Sequence, residues 1–389
     1  MKAKSIFLSM LAIAALASCS KENGEDPSPP VPQGEPMTVN FSINTGVETK
    51  ATGVPGTNED KAISDITVFF VDATGSIITK KYLQTSDLSD AAGVKSATVE
   101  TKSTANKMLA ICNLGSDLTG ASGSLNASTE TQLKAVVRSL VNGTTQTQVK
   151  GNLLMSAEGT LTDKTTAAPY TAKAEVTAKF VAAKITLASV AVGTGAQGTF
   201  GSSEDFSFDG AFLLNVQTNS FYFPSAGGSH VPATQNYVNG INWVVGWGTD
   251  PGYTVVPEFN LDLSGVVTPP ATNAGHFYVF ENRPTSADKA QNPTTLVLQV
   301  DWLKKKGAPE DRVKKYFNVI FAPGEGGVIE AGKAYNVSIT LNGDFRPTDE
   351  GGGSGGGGTD TPDEPNVKLD VTVTVTPADW TDTPTNKPF

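Results

Sequence analysis

Met37-Thr-Val-Asn-Phe-Ser-Ile43 alternates without a fault. Met37, Val39, Phe41 and Ile43 fall on one side of an extended chain; Thr38, Asn40 and Ser42 fall on the other. Successive side chains of a strand point to opposite faces, so this period of two predicts a half-buried β-strand. A second such stretch lies near the far end of the 389 residues. In Leu369-Asp-Val-Thr-Val-Thr-Val-Thr376, Leu369, Val371, Val373 and Val375 form one face and Asp370, Thr372, Thr374 and Thr376 the other. The two segments overlay position by position, so both suit the same place in a sheet.

Between them the chain reads as mainly β. Ile66–Val71 and Ile77–Leu83 flank Asp72-Ala-Thr-Gly-Ser76, a hairpin. Strands follow at Ala97–Thr101 and Lys107–Asn113, then at Phe212–Gln217, Ser220–Phe223, His276–Phe280, Thr295–Trp302, Lys315–Phe321 and Ala334–Leu341. Short strands at this spacing, split by Gly and Pro, predict β-sandwiches. One helix is expected over Thr129–Val141. Leu133, Val136, Val137, Leu140 and Val141 follow a helical stripe, and Thr129 with Gln132 fits a capping box. The length allows two domains, 37–183 and 184–346, with the Ala- and Val-rich stretch Ala174–Val192 closing one and opening the next.

The beginning has the layout of an export signal. Lys2 and Lys4 precede an apolar run, Ile6–Ala17, and Leu16-Ala17-Ser18-Cys19 places small residues before a cysteine. Residues 1–18 read as a signal peptide of the bacterial lipoprotein kind, with Cys19 as the lipid site. Acyl chains on Cys19 would hold the protein at a membrane without a spanning helix, at about 0.8 kcal/mol per buried CH₂. No later run of apolar residues is long enough to span. Residues 19–36 are polar and proline-rich and read as a tether. With Cys19 lipidated, the one other cysteine, Cys112, has no partner in the chain and reads as a core residue. The formal charge of −10 comes with no basic patch, which argues against nucleic acid as a partner.

Two further stretches set how the end strands can behave. Gly46–Asp60 is a Gly- and Pro-containing loop directly after the first strand, and it carries a single basic residue in Thr49-Lys50-Ala51-Thr52. Arg346–Asn366 is Gly, Asp, Thr and Pro around Gly351-Gly-Gly-Ser-Gly-Gly-Gly-Gly358, so 347–366 is a linker and 367–389 a tail. A linker of this kind reaches on the order of 25 Å, from about 5–6 Å times the square root of its length. If the loop is cut at Lys50–Ala51, the strand of Met37, Val39, Phe41 and Ile43 can leave. The slot it vacates recruits another strand, and a neighbour's tail, with Leu369, Val371, Val373 and Val375, has the matching pattern. Both strands can also pair within one molecule. A strand that pairs in place needs no such reach, and the linker therefore points to a neighbour.

The chain resembles the fimbrillins of the Bacteroidales, the type V pilins. The resemblance rests on the lipobox Leu16–Cys19, on Met37–Ile43 followed by Glu48-Thr-Lys-Ala-Thr-Gly53, and on Phe277-Tyr-Val-Phe-Glu-Asn282. Ala334-Tyr-Asn-Val-Ser-Ile-Thr-Leu341 and Val371–Trp380 complete it. It implies two transthyretin-like, Ig-like sandwich domains in tandem and export by the lipoprotein route to the outer membrane. It implies removal of the first strand by a trypsin-like maturation protease, and polymerisation with other copies of itself and related pilins through a donor strand. The mature form would be extracellular, in fimbriae that support adhesion. Processing in that family characteristically follows arginine, whereas here the residue is Lys50, with Lys61 a second choice. The presence of a tail fits a stalk subunit.

The sequence offers little for other functions. Gly327-Val-Ile-Glu-Ala-Gly332-Lys333-Ala334 falls short of a phosphate loop, because Ala334 stands where Ser or Thr is needed and a strand follows. His230 and His276 are the only histidines, and no spacing suggests a metal, a cofactor or a catalytic nucleophile. Trp243 and Trp247 in a Gly-rich stretch leave an alternative open: a monomeric surface lipoprotein that binds glycan or a host ligand.

Overall fold

The computed structural model describes residues 34–45, 60–91, 93–201, 204–240, 254–264, 271–284, 292–321, 327–347 and 370–379. The strands that matter run in chain order as β1 (Pro36–Asn44), β2 (Asp65–Asp72), β3 (Ile77–Gln84), β4 (Ser89–Ala91), β5 (Val94–Lys102) and β6 (Ala105–Cys112). After the helix α1 (Glu130–Lys134) come β7 (Met155–Thr160), β8 (Tyr170–Thr177), β9 (Lys179–Phe180), β10 (Ala182–Val192), β11 (Phe206–Leu214), β12 (Asn260–Asp262) and β13 (Ala271–Phe280). The last are β14 (Thr295–Leu303), β15 (Arg312–Ile320), β16 (Lys333–Asn342) and β17 (Asp370–Asp379).

They form four large sheets, ordered β8-β1-β5-β4, β9-β7-β6-β2-β3, β13-β10-β16-β17 and β12-β11-β14-β15. The first two draw only on residues up to Phe180, and the last two only on residues from Ala182 onward. Mainly β structure is thus what the alternating and apolar runs produce. Burial follows the period of two: in β1 and β16 every second residue is buried, whereas β2 is buried along almost its whole length. A strand covered on both sides can be apolar throughout, which is why Ile66–Val71 reads as a continuous run. The β2–β3 hairpin forms as its sequence predicts. The Asp72 carboxylate fixes its turn, accepting from the Thr74 and Ser76 amides at 2.8 and 2.9 Å. The Thr74 hydroxyl first, then the backbone amides, hold Asp72 below the usual carboxylate range, against the opposing effect of burial. Cys112 is fully buried, and that burial, with Asp65 nearby, pushes its thiol up.

The expected helix over Thr129–Val141 is corrected by the structure. Thr129 does cap it, accepting from the Gln132 amide at 3.2 Å, and Gln132 answers by accepting from the Ser128 amide at 2.9 Å. Yet α1 ends at Lys134, and Val137–Ser139 turns into a strand paired antiparallel with Asn219–Phe221. Paired valines tolerate strands better than helices, and Val137, at 41% exposure, would not have contributed to a buried stripe. The short helix is held to the sheet by a charge cluster. Lys107 and Lys134 both reach Glu130 and Glu158, at 2.6–3.0 Å. Burial opposes ionisation of both carboxyls, but the two ammonium groups hold them below their ordinary values.

Phe345 closes the last described loop before the linker. It is buried and its ring stacks on Phe206 with centroids 3.9 Å apart. The Trp302 indole donates to its carbonyl at 2.6 Å, and its amide donates to Gln197 at 2.7 Å. The chain is therefore fixed at this point whatever follows it. Phe345→Ala is expected to cost about 3–5 kcal/mol of unfolding free energy, read as a lower midpoint in urea denaturation.

Candidate functional site

The candidate site is the place of β1 in its sheet. β1 lies between β8, to which it is parallel, and β5, to which it is antiparallel. Met37, Val39, Phe41 and Ile43 are 0–2% exposed, all on the core face. On one side they stand in register with Tyr170, Ala172, Ala174 and Val176, and on the other with Thr101, Val99, Ala97 and Lys95. The small alanines of β8 make room for Val39 and Phe41. The polar positions of β1 look outward, where Thr98 donates to the Asn40 side chain at 2.7 Å. Both ends of β1 are tied: Ser103 donates to the Glu35 carbonyl at 2.8 Å, and Ala178 to that of Asn44 at 2.7 Å.

Strands in a sheet lie about 4.7–4.9 Å apart. Without β1, β8 and β5 would face each other across roughly 10 Å, each with a row of unpaired amides and carbonyls. That gap admits one strand and no more. The floor beneath it is apolar at every second position, so an occupant needs apolar residues at period two.

The second element is β17, the tail. It pairs antiparallel with β16 over its whole length, from Lys333↔Asp379 to Asn342↔Asp370. Its register puts Val371, Val373 and Val375 opposite Leu341, Ile339 and Val337, all three fully buried. The tail thus pairs in place in this chain, one of the two arrangements that its sequence allows. It sits at the end of the order β13-β10-β16-β17, with a neighbour on one side only among the described residues.

Cys19, Lys50, Ala51, Leu369, Trp243 and Trp247 lie outside the described residues. Met37, Val39, Phe41 and Ile43 are brought together on one buried face. The Gly327–Ala334 stretch is a turn leading into β16, with Gly332 at φ 72°. A separate cleft of about 520 Å³ lies beside Phe180, His230, Glu281, Arg283 and Glu330. Its charges are spent on one another: Glu281 accepts from the Arg283 guanidinium and, at 3.1 Å, from the His230 amide, and Arg283 also reaches Glu330 at 2.8 Å. Burial lowers the His230 pKa, and its Nδ1 lies 3.0 Å from the Phe221 carbonyl. This arrangement holds the second half together and was not legible in the sequence, since its members come from distant segments. Among the described residues no group of three or more His, Cys, Asp or Glu is placed to hold a metal ion. No helix among them is long and apolar enough to cross a membrane.

Comparison with known proteins matches both halves to family models. The model described as major fimbrial subunit protein (FimA) matches residues 36–199, which include β1. The model of the FimA-like major fimbrial subunit protein, C-terminal domain, matches residues 249–380, which include β17. Among solved structures, the chain is similar to a candidate cell adhesion protein from Bacteroides eggerthii. Identity is 28% and the TM-score 0.67, over 90% of this chain and 98% of that one. It shares its fold with a fimbrilin from Porphyromonas gingivalis at 18% identity and a TM-score of 0.54, over 88% and 97% of the two chains. A candidate cell adhesion protein from Parabacteroides distasonis, at 15% identity and a TM-score of 0.57, covers 87% and 99%. No curated protein sequence matches the chain significantly.

The one-sided pairing of β17 has a direct readout. A chain ending at Asn366 is expected to keep its fold, while amide hydrogen exchange along Lys333–Asn342 accelerates about 10–100-fold over the full-length chain. Unchanged protection there would show that β17 contributes nothing to that edge.

Proposed function

We propose, on the premise that this chain belongs to the fimbrillin family of major fimbrial subunit proteins, that it is a stalk subunit built into a fimbria by strand replacement. The observation that carries this reading is the contrast between its two alternating strands: among the described residues β1 has a neighbour on each side, and β17 on only one.

The steps follow from that contrast. The protein is exported as a lipoprotein held at the outer membrane through Cys19. A trypsin-like protease adds water across the Lys50–Ala51 amide, leaving a carboxylate on Lys50 and a free amine on Ala51. β1 is then no longer covalently joined to β2 and can depart. The slot between β8 and β5 takes the tail of a second copy, with Leu369, Val371, Val373 and Val375 in place of Met37, Val39, Phe41 and Ile43. Four apolar side chains entering such a site contribute roughly 6–12 kcal/mol before entropy losses. Backbone hydrogen bonds form on both sides of the donor, where its own sheet offers one. Repeating a head-to-tail contact gives an open filament. The fibre so built displays the remaining surfaces for adhesion. In this reading residues 37–183 and 184–346 are the two sandwich domains, 347–366 the reach and 367–389 the donor.

Limited trypsin treatment of purified chain is expected to yield a species beginning at Ala51 that forms ladders stable in mild denaturant. Deleting residues 367–389 should abolish the ladders and leave a folded monomer by circular dichroism. Ladders that persist without the tail, or that form while Met37–Ile43 remains covalently attached, would overturn strand replacement.

A further inference from the structure

Asp60 opens the short stretch that leads into β2, and it is only 1% exposed. Its carboxylate is held from two directions. The Lys184 ammonium donates to Oδ2 at 2.5 Å, and the Tyr278 hydroxyl donates to Oδ1 at 2.6 Å. Lys184 lies on β10 and Tyr278 on β13, and the two are directly paired in register. The Lys184 ammonium also sits 5.6 Å from the centre of the Tyr278 ring. An aspartate at the entry to the second strand of the first half is therefore sunk into the sheet of the second half. The Tyr278 carbonyl, for its part, accepts from the Gln146 side chain, so the same strand position ties in a further segment of the first half.

The chain remains fastened beyond Asp60. The Ala62 carbonyl accepts from Asn113 Nδ2 at 2.8 Å, and the Ser64 amide donates to Asn113 Oδ1 at 2.8 Å. Ile63 between them is buried. Asp65 accepts from the Leu114 and Gly115 amides at 2.8 and 3.0 Å. Asn113 can serve this run because its backbone is in the left-handed region, at φ 67°, a conformation that asparagine tolerates. Its Nδ2 also donates to Leu153 at 2.8 Å, so the clasp is anchored in turn.

A protease of the trypsin kind binds several residues around the cut bond in extended form, through their main-chain groups, as an added strand. Around Lys61 the Ala62 carbonyl and the Ser64 amide are in use, and the side chains of Asp60 and Ile63 are buried. Cutting Lys61–Ala62 therefore requires the stretch to open locally first.

We propose that Asp60, locked by Lys184 and Tyr278, is the stop that confines processing to the chain before it. The lock protects the Lys61–Ala62 bond and keeps the beginning of the processed chain fixed against the second half after β1 has gone. This rests on the reading that a cut between β1 and β2 precedes assembly, and it goes further. The fold, and not the preference of the protease, selects between the two lysines. Asp60 acts as a positioning residue, because the chemistry at the cut bond belongs to the protease.

The test is a trypsin time course on the folded full-length chain, with new amino termini followed by mass and sequencing. In the natural protein the Ala62 terminus is expected to form at least about 30-fold more slowly than the Ala51 terminus. Asp60→Ala and the milder Tyr278→Phe, which removes one hydroxyl, should each speed formation of the Ala62 terminus by about 10-fold or more. Near-ultraviolet circular dichroism checks that each variant is folded. An Ala62 terminus that forms as fast as Ala51 in the natural protein overturns the lock, as does a folded pair of variants with no gain. A natural chain cut at neither bond, whose Asp60→Ala variant is cut at Lys61, upholds the lock and removes the processing reading.

Discussion

A strand with neighbours on both sides cannot leave a sheet without leaving two rows of amides and carbonyls unpaired. That constraint governs β1. Its main chain bonds to β8 and to β5, and its four apolar residues reach into the core. While it is joined to β2 it is held in place by its own chain, and no free strand can compete for its position. Once that joint is cut, the same geometry that made β1 secure makes its slot a strong acceptor. In the proposed assembly the stability of the unassembled chain and the affinity of the assembled one thus come from a single set of hydrogen bonds and pockets.

The tail is governed by the opposite condition. β17 closes the third sheet from outside, so half of its backbone groups face away from any described strand. Its register on β16 sets Val371, Val373 and Val375 opposite the buried Leu341, Ile339 and Val337. Leaving β16 costs one row of hydrogen bonds, and entering a slot between two strands forms two. In the proposed assembly the direction of transfer follows from that difference. Phe345 matters here because it fixes the chain between β16 and the tail: its contacts with Phe206 and Trp302 do not involve β17. The tail can lift away without drawing β16 after it.

Much of this was legible in the sequence, and the reasons differ by element. Met37–Ile43 alternates because it has one buried face, and a buried face leaves its mark on every second residue; Val371–Thr376 carries the same alternation and lies in a strand. The Asp72–Ser76 hairpin was legible because a turn is local chemistry. Thr129–Val141 misled because five apolar residues at helical spacing can also arise where a short helix runs into a strand; the pairing of Val137–Ser139 with Asn219–Phe221, far along the chain, decided the outcome. The clasp on Asp60 left no trace. Asp60, Lys184 and Tyr278 are ordinary residues apart, and only the pairing of β10 with β13 and the path of the chain into β2 bring them together. The same holds for Glu281, Arg283 and His230.

Assembly through strands, as proposed, also requires that the other edges do not pair. Five of the eight outermost described strands of the four large sheets answer this in two ways. β4, β9 and β12 are two or three residues long and offer little to pair with. β3 and β15 are long, and each carries two adjacent lysines before a tyrosine: Lys80-Lys81-Tyr82 and Lys314-Lys315-Tyr316. Charges on an edge strand are costly to bury against another sheet, so such strands resist edge-to-edge association. These lysines also have work within the molecule, Lys80 on Asn126 at 2.7 Å and Lys314 on Asp209, which holds them at the edge. With those edges blunted, the site that combines two unpaired rows with an apolar floor is the one that opens when β1 departs. In the proposed assembly this favours growth along a head-to-tail line, begun by the cut that frees β1.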